Sequence, residues 1–175
     1  MRTFYHVTPV DHSLGSVLTP GRFGAAVRSA RVRQSNVNIG DLNTLAWESA
    51  LEVARQCLVP NAPSRLNCVF ATPTIEEARQ FQQRYRNDFS FIFELHVASR
   101  VPIHIADFES ITTTTTGKTF LDTFVDAAMA YWICVGDTTL REVIIGGEGI
   151  VAQRSLRCRG CRDSQTQSHC PRASH

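Results

Sequence analysis

No segment of this 175-residue chain approaches the roughly 18–20 consecutive apolar residues of a membrane span. The amino terminus has no charged stretch followed by a long apolar one, so no secretory leader is expected. The expected location is the cytoplasm, or a host cytosol reached through a specialised secretion system. Net charge is also scarce: at +2 it is too small for a nucleic-acid footprint. No disulfide framework is legible among the six cysteines. Cys57, Cys68 and Cys134 lie in apolar stretches and read as small buried hydrophobes, while Cys158, Cys161 and Cys170 lie in a polar tail. A reducing compartment follows. What remains is 43% apolar and 19% charged residues, the balance of one soluble globular domain.

Two phosphate-binding patterns fail on inspection. "TTTTTGKT" ends like a P-loop, but Thr112 stands where the first glycine should let backbone amides wrap a phosphate. "GEGIVA" (147–152) fits a dinucleotide fingerprint formally, yet no helix and second strand follow it. In the tail, Cys158, Cys161, His169 and Cys170 are zinc-type ligands, but the second pair is adjacent rather than spaced. No metal site is expected. No nucleophile–histidine arrangement stands out either.

The apolar pattern predicts an α+β chain of six or seven strands and two or three helices. Strands are expected at 3–8, 66–71, 89–97 and 101–105, the last an edge strand because of Pro102. "LREVIIGGEGIVAQ" (140–153) reads as two short strands, or as one bent at Gly146-Gly147. Helices are expected at 44–58, at 75–85 behind a Thr74–Glu77 capping box, and at 119–132. Residues 9–40 read as irregular and 112–118 as a loop. The domain should span 1–157. Residues 158–175 lack large apolar side chains and are expected to form a disordered tail.

Three distant segments carry chemistry: "YHVT" (5–8), "VFATPTIEEA" (69–78) and "REVII" (141–145). Together they resemble the ADP-ribosyltransferase fold of the diphtheria-toxin and poly(ADP-ribose) polymerase type. In that family a first strand carries H-G-[ST], here His6-Val7-Thr8. A middle strand carries a tyrosine, here Val69 with Phe70 next to it. A late strand opens on a glutamate, here Glu142. The chain is also similar to a bacterial domain family with an initial "YHVT" and a late "YW…REV" pattern, matched by Tyr131-Trp132 and Arg141-Glu142-Val143. Some bacterial effector toxins that modify a threonine of ubiquitin are related in style.

The resemblance implies a split antiparallel β-sheet core and NAD as co-substrate. It implies a mono-ADP-ribosyltransferase that releases nicotinamide and modifies a protein acceptor, with ubiquitin as a candidate. The alternatives are an NAD glycohydrolase and a non-catalytic NAD- or protein-binding module on the same fold. Glu142 is the implied catalytic carboxylate. A carboxylate held against a ribose that turns cationic stabilises the transition state more than the ground state. His6 and Thr8 are implied ribose partners, and the Val7 backbone an implied partner for the nicotinamide amide. Phe70, Tyr5 or Phe23 would stack on the ring. Arg22, Arg28, Arg31 and Arg33 would supply charge for the pyrophosphate.

Overall fold

The structure is a computed structural model that describes residues 1–29, 39–86, 90–112, 119–134 and 138–155. Arg31, Arg33, most of the threonine-rich loop and the cysteine-bearing tail lie outside the described residues. Seven strands and four α-helices are interspersed along the described chain. The strands are β1 (Arg2–Thr8), β2 (Val17–Leu18), β3 (Val69–Ala71), β4 (Phe91–Val97), β5 (Ile103–Asp107), β6 (Arg141–Ile145) and β7 (Gly149–Arg154). The helices are α1 (Arg22–Ser29), α2 (Ile39–Leu58), α3 (Ile75–Tyr85) and α4 (Phe120–Ile133). No helix among the described residues is long and apolar enough to cross a membrane.

The strands form two sheets, ordered β1-β4-β7-β2 and β3-β6-β5, with every pairing antiparallel. Among the described residues a single backbone bridge ties them: Tyr5 N–H donates to the Thr72 carbonyl at 3.0 Å, and Thr72 N–H donates back to Tyr5 at 2.8 Å. The bend at Gly146-Gly147 is where the chain crosses from one sheet to the other, since β6 lies in the smaller sheet and β7 in the larger. A Cβ on Gly146 would stand 2.8 Å from Pro63 Cγ, and one on Gly147 2.8 Å from Val101 Cγ1, so the crossing runs against neighbouring side chains.

The alternation of β4 explains the core. Phe93, Leu95 and Val97 are wholly buried on one face, each contributing roughly 1.5–3 kcal/mol of transfer free energy. On the other face Glu94 and His96 pair at 2.9 Å, while Ile92 is buried. Helices α2 and α4 pack together through the Trp47–Phe124 stack, centroids 4.0 Å apart, and the Trp132 indole N–H donates to the Leu51 carbonyl at 2.7 Å.

Several expectations change. Residues 9–40 are not wholly irregular: they hold β2 and α1. Gly24 lets α1 lie directly on the chain at Leu66, since a Cβ there would fall 1.9 Å from the Leu66 carbonyl oxygen. The arginines of that segment hide its short apolar face of Phe23, Val27 and neighbours. Helix α2 starts at Ile39 rather than 44. The strand expected over 66–71 is shortened by a 3-10 turn at Arg65–Asn67, capped by Ser64, whose hydroxyl accepts from Leu66 N–H. Half of the capping box forms: Thr74 Oγ1 accepts from Glu77 N–H at 3.2 Å. The Glu77 carboxylate instead accepts from the Thr74 hydroxyl at 2.8 Å and from Arg141 Nε at 2.8 Å, pinning α3 to β6.

Candidate functional site

His6 sits in β1 with its Nδ1–H donating to the Phe70 carbonyl at 2.7 Å, which links the first strand to β3. Burial pushes its pKa below the ordinary histidine value; the carbonyl bond opposes this, while His12, Arg86 and Arg22 add to it. The ring is therefore neutral at pH 7, with Nε2 an unprotonated acceptor.

The backbone of Val7 makes no hydrogen bond to any described residue outside its strand. In an antiparallel ladder, backbone groups alternate between the two edges of a strand. Tyr5 turns its N–H and C=O away from β4, to Thr72. Val7, two residues on, turns its pair to that same edge, and β1 is the end strand of its sheet. A donor and an acceptor thus stand side by side beyond the Thr72 bridge.

Glu142 enters on β6, flanked by β3 and β5, with Ala106 as its β5 partner. It is 8% exposed. Its Oε2 accepts from Arg65 Nη1 and from the Tyr131 hydroxyl. Its Oε1 makes no hydrogen bond to any described residue. Arg65, itself 7% exposed, donates in the opposite direction to a second carboxylate: Nε to Glu48 Oε2 and Nη2 to Glu48 Oε1, both at 3.1 Å. Burial works against the Arg65 charge, but the Glu142 and Glu48 carboxylates outweigh it and keep the guanidinium protonated. Burial likewise holds Tyr131 as a neutral phenol.

These groups meet at a cavity of about 280 Å³, just below the usual range of small-molecule sites. Its wall takes in Tyr5, His6, Val7, Phe70 and Glu142, with Phe23 from α1. Phe23 meets the Phe70 ring edge-on at 5.3 Å, and the Arg65 guanidinium lies over Phe70 at 4.8 Å. The far wall is aromatic, with Phe81 and Phe108 at 5.2 Å. Arg86 also lines the cavity. Its guanidinium lies 5.8 Å from the Phe81 ring and has no ion-pair partner among the described residues. Beyond Arg86 a shallower groove of about 370 Å³ opens along Pro9, Arg84, Tyr85 and Ser90.

Of the residues singled out from sequence, His6, Val7, Phe23, Phe70 and Glu142 share this wall. Thr8 does not: it is buried at the end of β1, and its Oγ1 accepts from Val10 N–H at 3.2 Å. Arg22 opens α1, exposed and off the wall, near enough for its charge to act on His6. Arg28 is exposed in the last turn of α1. Sequence reasoning missed Glu48, Arg65 and Arg86, and read Tyr131 as an apolar anchor and part of the "YW…REV" pattern, without a role in the site. One signal for Glu48 was present: it stands three residues from Leu45 and from Leu51, a charge on an apolar helical stripe. Among the described residues no group of three or more His, Cys, Asp or Glu side chains could hold a metal ion.

A comparison with curated proteins finds no match. A family model described as "Protein of unknown function (DUF2441)" matches residues 25–155. That span includes Glu48, Arg65, Phe70, Tyr131 and Glu142 and leaves β1, with His6, outside. On this match the chain belongs to the DUF2441 family.

Proposed function

We propose that the protein is a mono-ADP-ribosyltransferase that takes ADP-ribose from NAD and passes it to a protein side chain. The observation that carries this reading is the convergence of His6, the Val7 backbone edge, Phe70 and Glu142, from segments more than sixty residues apart in sequence, on one cavity. The two antiparallel sheets joined at Tyr5–Thr72 are compatible with the ADP-ribosyltransferase fold.

The residues present suit NAD. The paired N–H and C=O of Val7 match a carboxamide, which offers one acceptor and one donor. Phe70 and Tyr5 offer faces for the ring. His6 Nε2 accepts from a ribose hydroxyl. Arg86, where cavity and groove meet, takes the diphosphate in place of the arginines named from sequence; its fork suits paired phosphate oxygens. The nicotinamide half then fills the cavity, and the adenosine half follows the groove.

In the reaction the bond between ribose C1′ and nicotinamide N1 breaks, and its electron pair leaves with nicotinamide. The sugar gains oxocarbenium character. Glu142 Oε1 faces that charge, and Oε2 is held by Arg65 and Tyr131. An acceptor hydroxyl bonds to C1′ and loses its proton, which Oε1 can receive. The family resemblance suggests a threonine of ubiquitin as that hydroxyl, met in the cytoplasm or a host cytosol.

Incubation with NAD and a cell lysate, read by mass spectrometry, tests this. Nicotinamide release with ADP-ribose on a protein supports the transferase. Rapid release without any protein acceptor identifies a glycohydrolase. A second reading, a non-catalytic binding module, is favoured by the ion pair that already occupies Glu142 Oε2. NAD binding without release would establish it.

A further inference from the structure

We propose that Glu48, which is not on the cavity wall, determines the charge and the orientation that Glu142 presents to the cavity. The proposal rests on reading the cavity as the seat of a sugar that becomes cationic, and it makes Glu48 a positioning residue acting through Arg65.

Charge comes first. The buried cluster holds two carboxylates, Glu48 and Glu142, one guanidinium, Arg65, and the neutral Tyr131 phenol. Its sum is one negative charge. Without Glu48, Arg65 and Glu142 would form a neutral pair, and the field of the pair would largely cancel at the cavity. With Glu48 present, the guanidinium is shared between two carboxylates and the negative charge remains. Nearby groups do not cancel it: His6 is neutral, and Arg141 is bound to Glu77 at 2.8 Å. Arg86 lines both the cavity and the groove, and its charge is the same in every variant compared below.

Geometry comes second. An arginine ordinarily grips a carboxylate through two parallel bonds. Here that fork, Nε with Nη2, is spent on Glu48. Of the three N–H groups that remain, the contacts on the other side come from Nη1, which donates to Glu142 and also to the Tyr131 hydroxyl at 2.5 Å. Glu142 is therefore held by one oxygen, and the other is left to the cavity. Were Glu48 absent, Arg65 could turn its fork onto both Glu142 oxygens. A pair that served only to hold α2 against the Arg65 turn would not need Glu142 to be gripped this way.

The test compares two rings of one shape, the permanent cation N1-methylnicotinamide and neutral nicotinamide, binding to the full chain by calorimetry. Folding of each variant is checked by thermal melting. The cluster charge is −1 in wild type, zero in Glu48→Gln, and −1 again in the double variant Glu48→Gln with Arg65→Gln. Wild type should favour the cation about tenfold, Glu48→Gln should lose that preference, and the double variant should regain it. Glu48→Asp should keep it. In turnover, Glu48→Gln should lower kcat about tenfold or more with KM for NAD changed less than about threefold. If Glu48→Gln fails to fold, Glu48→Ala or Glu48→Met, each again with a cluster charge of zero, carries the same comparison. Glu48→Gln retaining the wild-type cation preference would overturn the proposal, as would a folded double variant without it. The two readings separate cleanly. Cation preference without nicotinamide release from NAD removes the transferase and leaves the role of Glu48 standing; release undiminished by Glu48→Gln does the reverse.

Discussion

Glu142 and His6 each keep one polar atom committed and one open, and that division of labour gives sharp expectations for single residues. Glu142→Gln is nearly isosteric and can still bind Arg65 and Tyr131. NAD turnover should fall at least about a hundredfold, by the scale of losing one preorganised electrostatic group, while NAD binding measured by calorimetry persists. For His6 the sign follows from burial, which lowers its folded-state pKa below the unfolded value. Between those two values the unfolded chain binds more protons, so stability rises with pH there. Stability is fully present above about pH 6.5 and declines as pH falls through the folded value. Denaturant titrations at pH 7.5 and 5 should show that loss, and His6→Gln should flatten it. Retention of the full slope in the variant would remove His6 as its source. At this scale the sequence was informative where chemistry rides on a local pattern. His6 in "YHVT" and Glu142 in "REV" were legible from their neighbours. Arg65 was not, because its role depends on Glu48, seventeen residues before it, and Glu142, seventy-seven after it.

At the scale of elements, the site depends on how α1 and α3 are fastened. Gly24 allows α1 to pack on the Leu66 backbone and so sets Phe23 edge-on to Phe70. Gly24→Ala should force the helix away, costing about 1–3 kcal/mol and weakening NAD binding; an unchanged melting temperature would contradict this packing. Helix α3 is held by Glu77, whose carboxyl pKa is lowered; burial opposes the shift, and bonds from Arg141 and Thr74 outweigh it. That contribution is present above the usual carboxylate range and is lost as pH falls through the lowered value. Arg141→Ala should therefore destabilise the fold at pH 7, by an amount that shrinks as pH falls below the usual carboxylate range, as chemical denaturation can measure. The long periodic helices were readable because an apolar stripe survives any context. Helix α1 was not, since an eight-residue helix with little beyond Phe23 and Val27 on its apolar face leaves too short a periodic pattern. The shortness of β3 was not readable either, because it depends on a Ser64 cap that competes locally with an otherwise good strand pattern.

For the whole molecule, two sheets meeting at one backbone bridge leave a gap, and the gap is the cavity. Val7 extends β1 beyond the bridge with no strand alongside among the described residues, while β3 and β6 supply the Phe70 and Glu142 that face it. No strand of the smaller sheet fills that space, because β3 is only three residues long and ends at Ala71. The α+β class and the Gly146-Gly147 bend were visible in the sequence. The division into two sheets was implied only by the family resemblance, since alternation records which face of a strand is buried but not which sheet it joins. The account as a whole stands on Glu142 facing the ribose of NAD. Its most direct test is nicotinamide release from NAD by the purified full chain, with and without an acceptor lysate, for wild type and Glu142→Gln. The account expects release by wild type and about one per cent of that rate or less in the variant. Equal release by both proteins, or none by wild type under either condition, would contradict it.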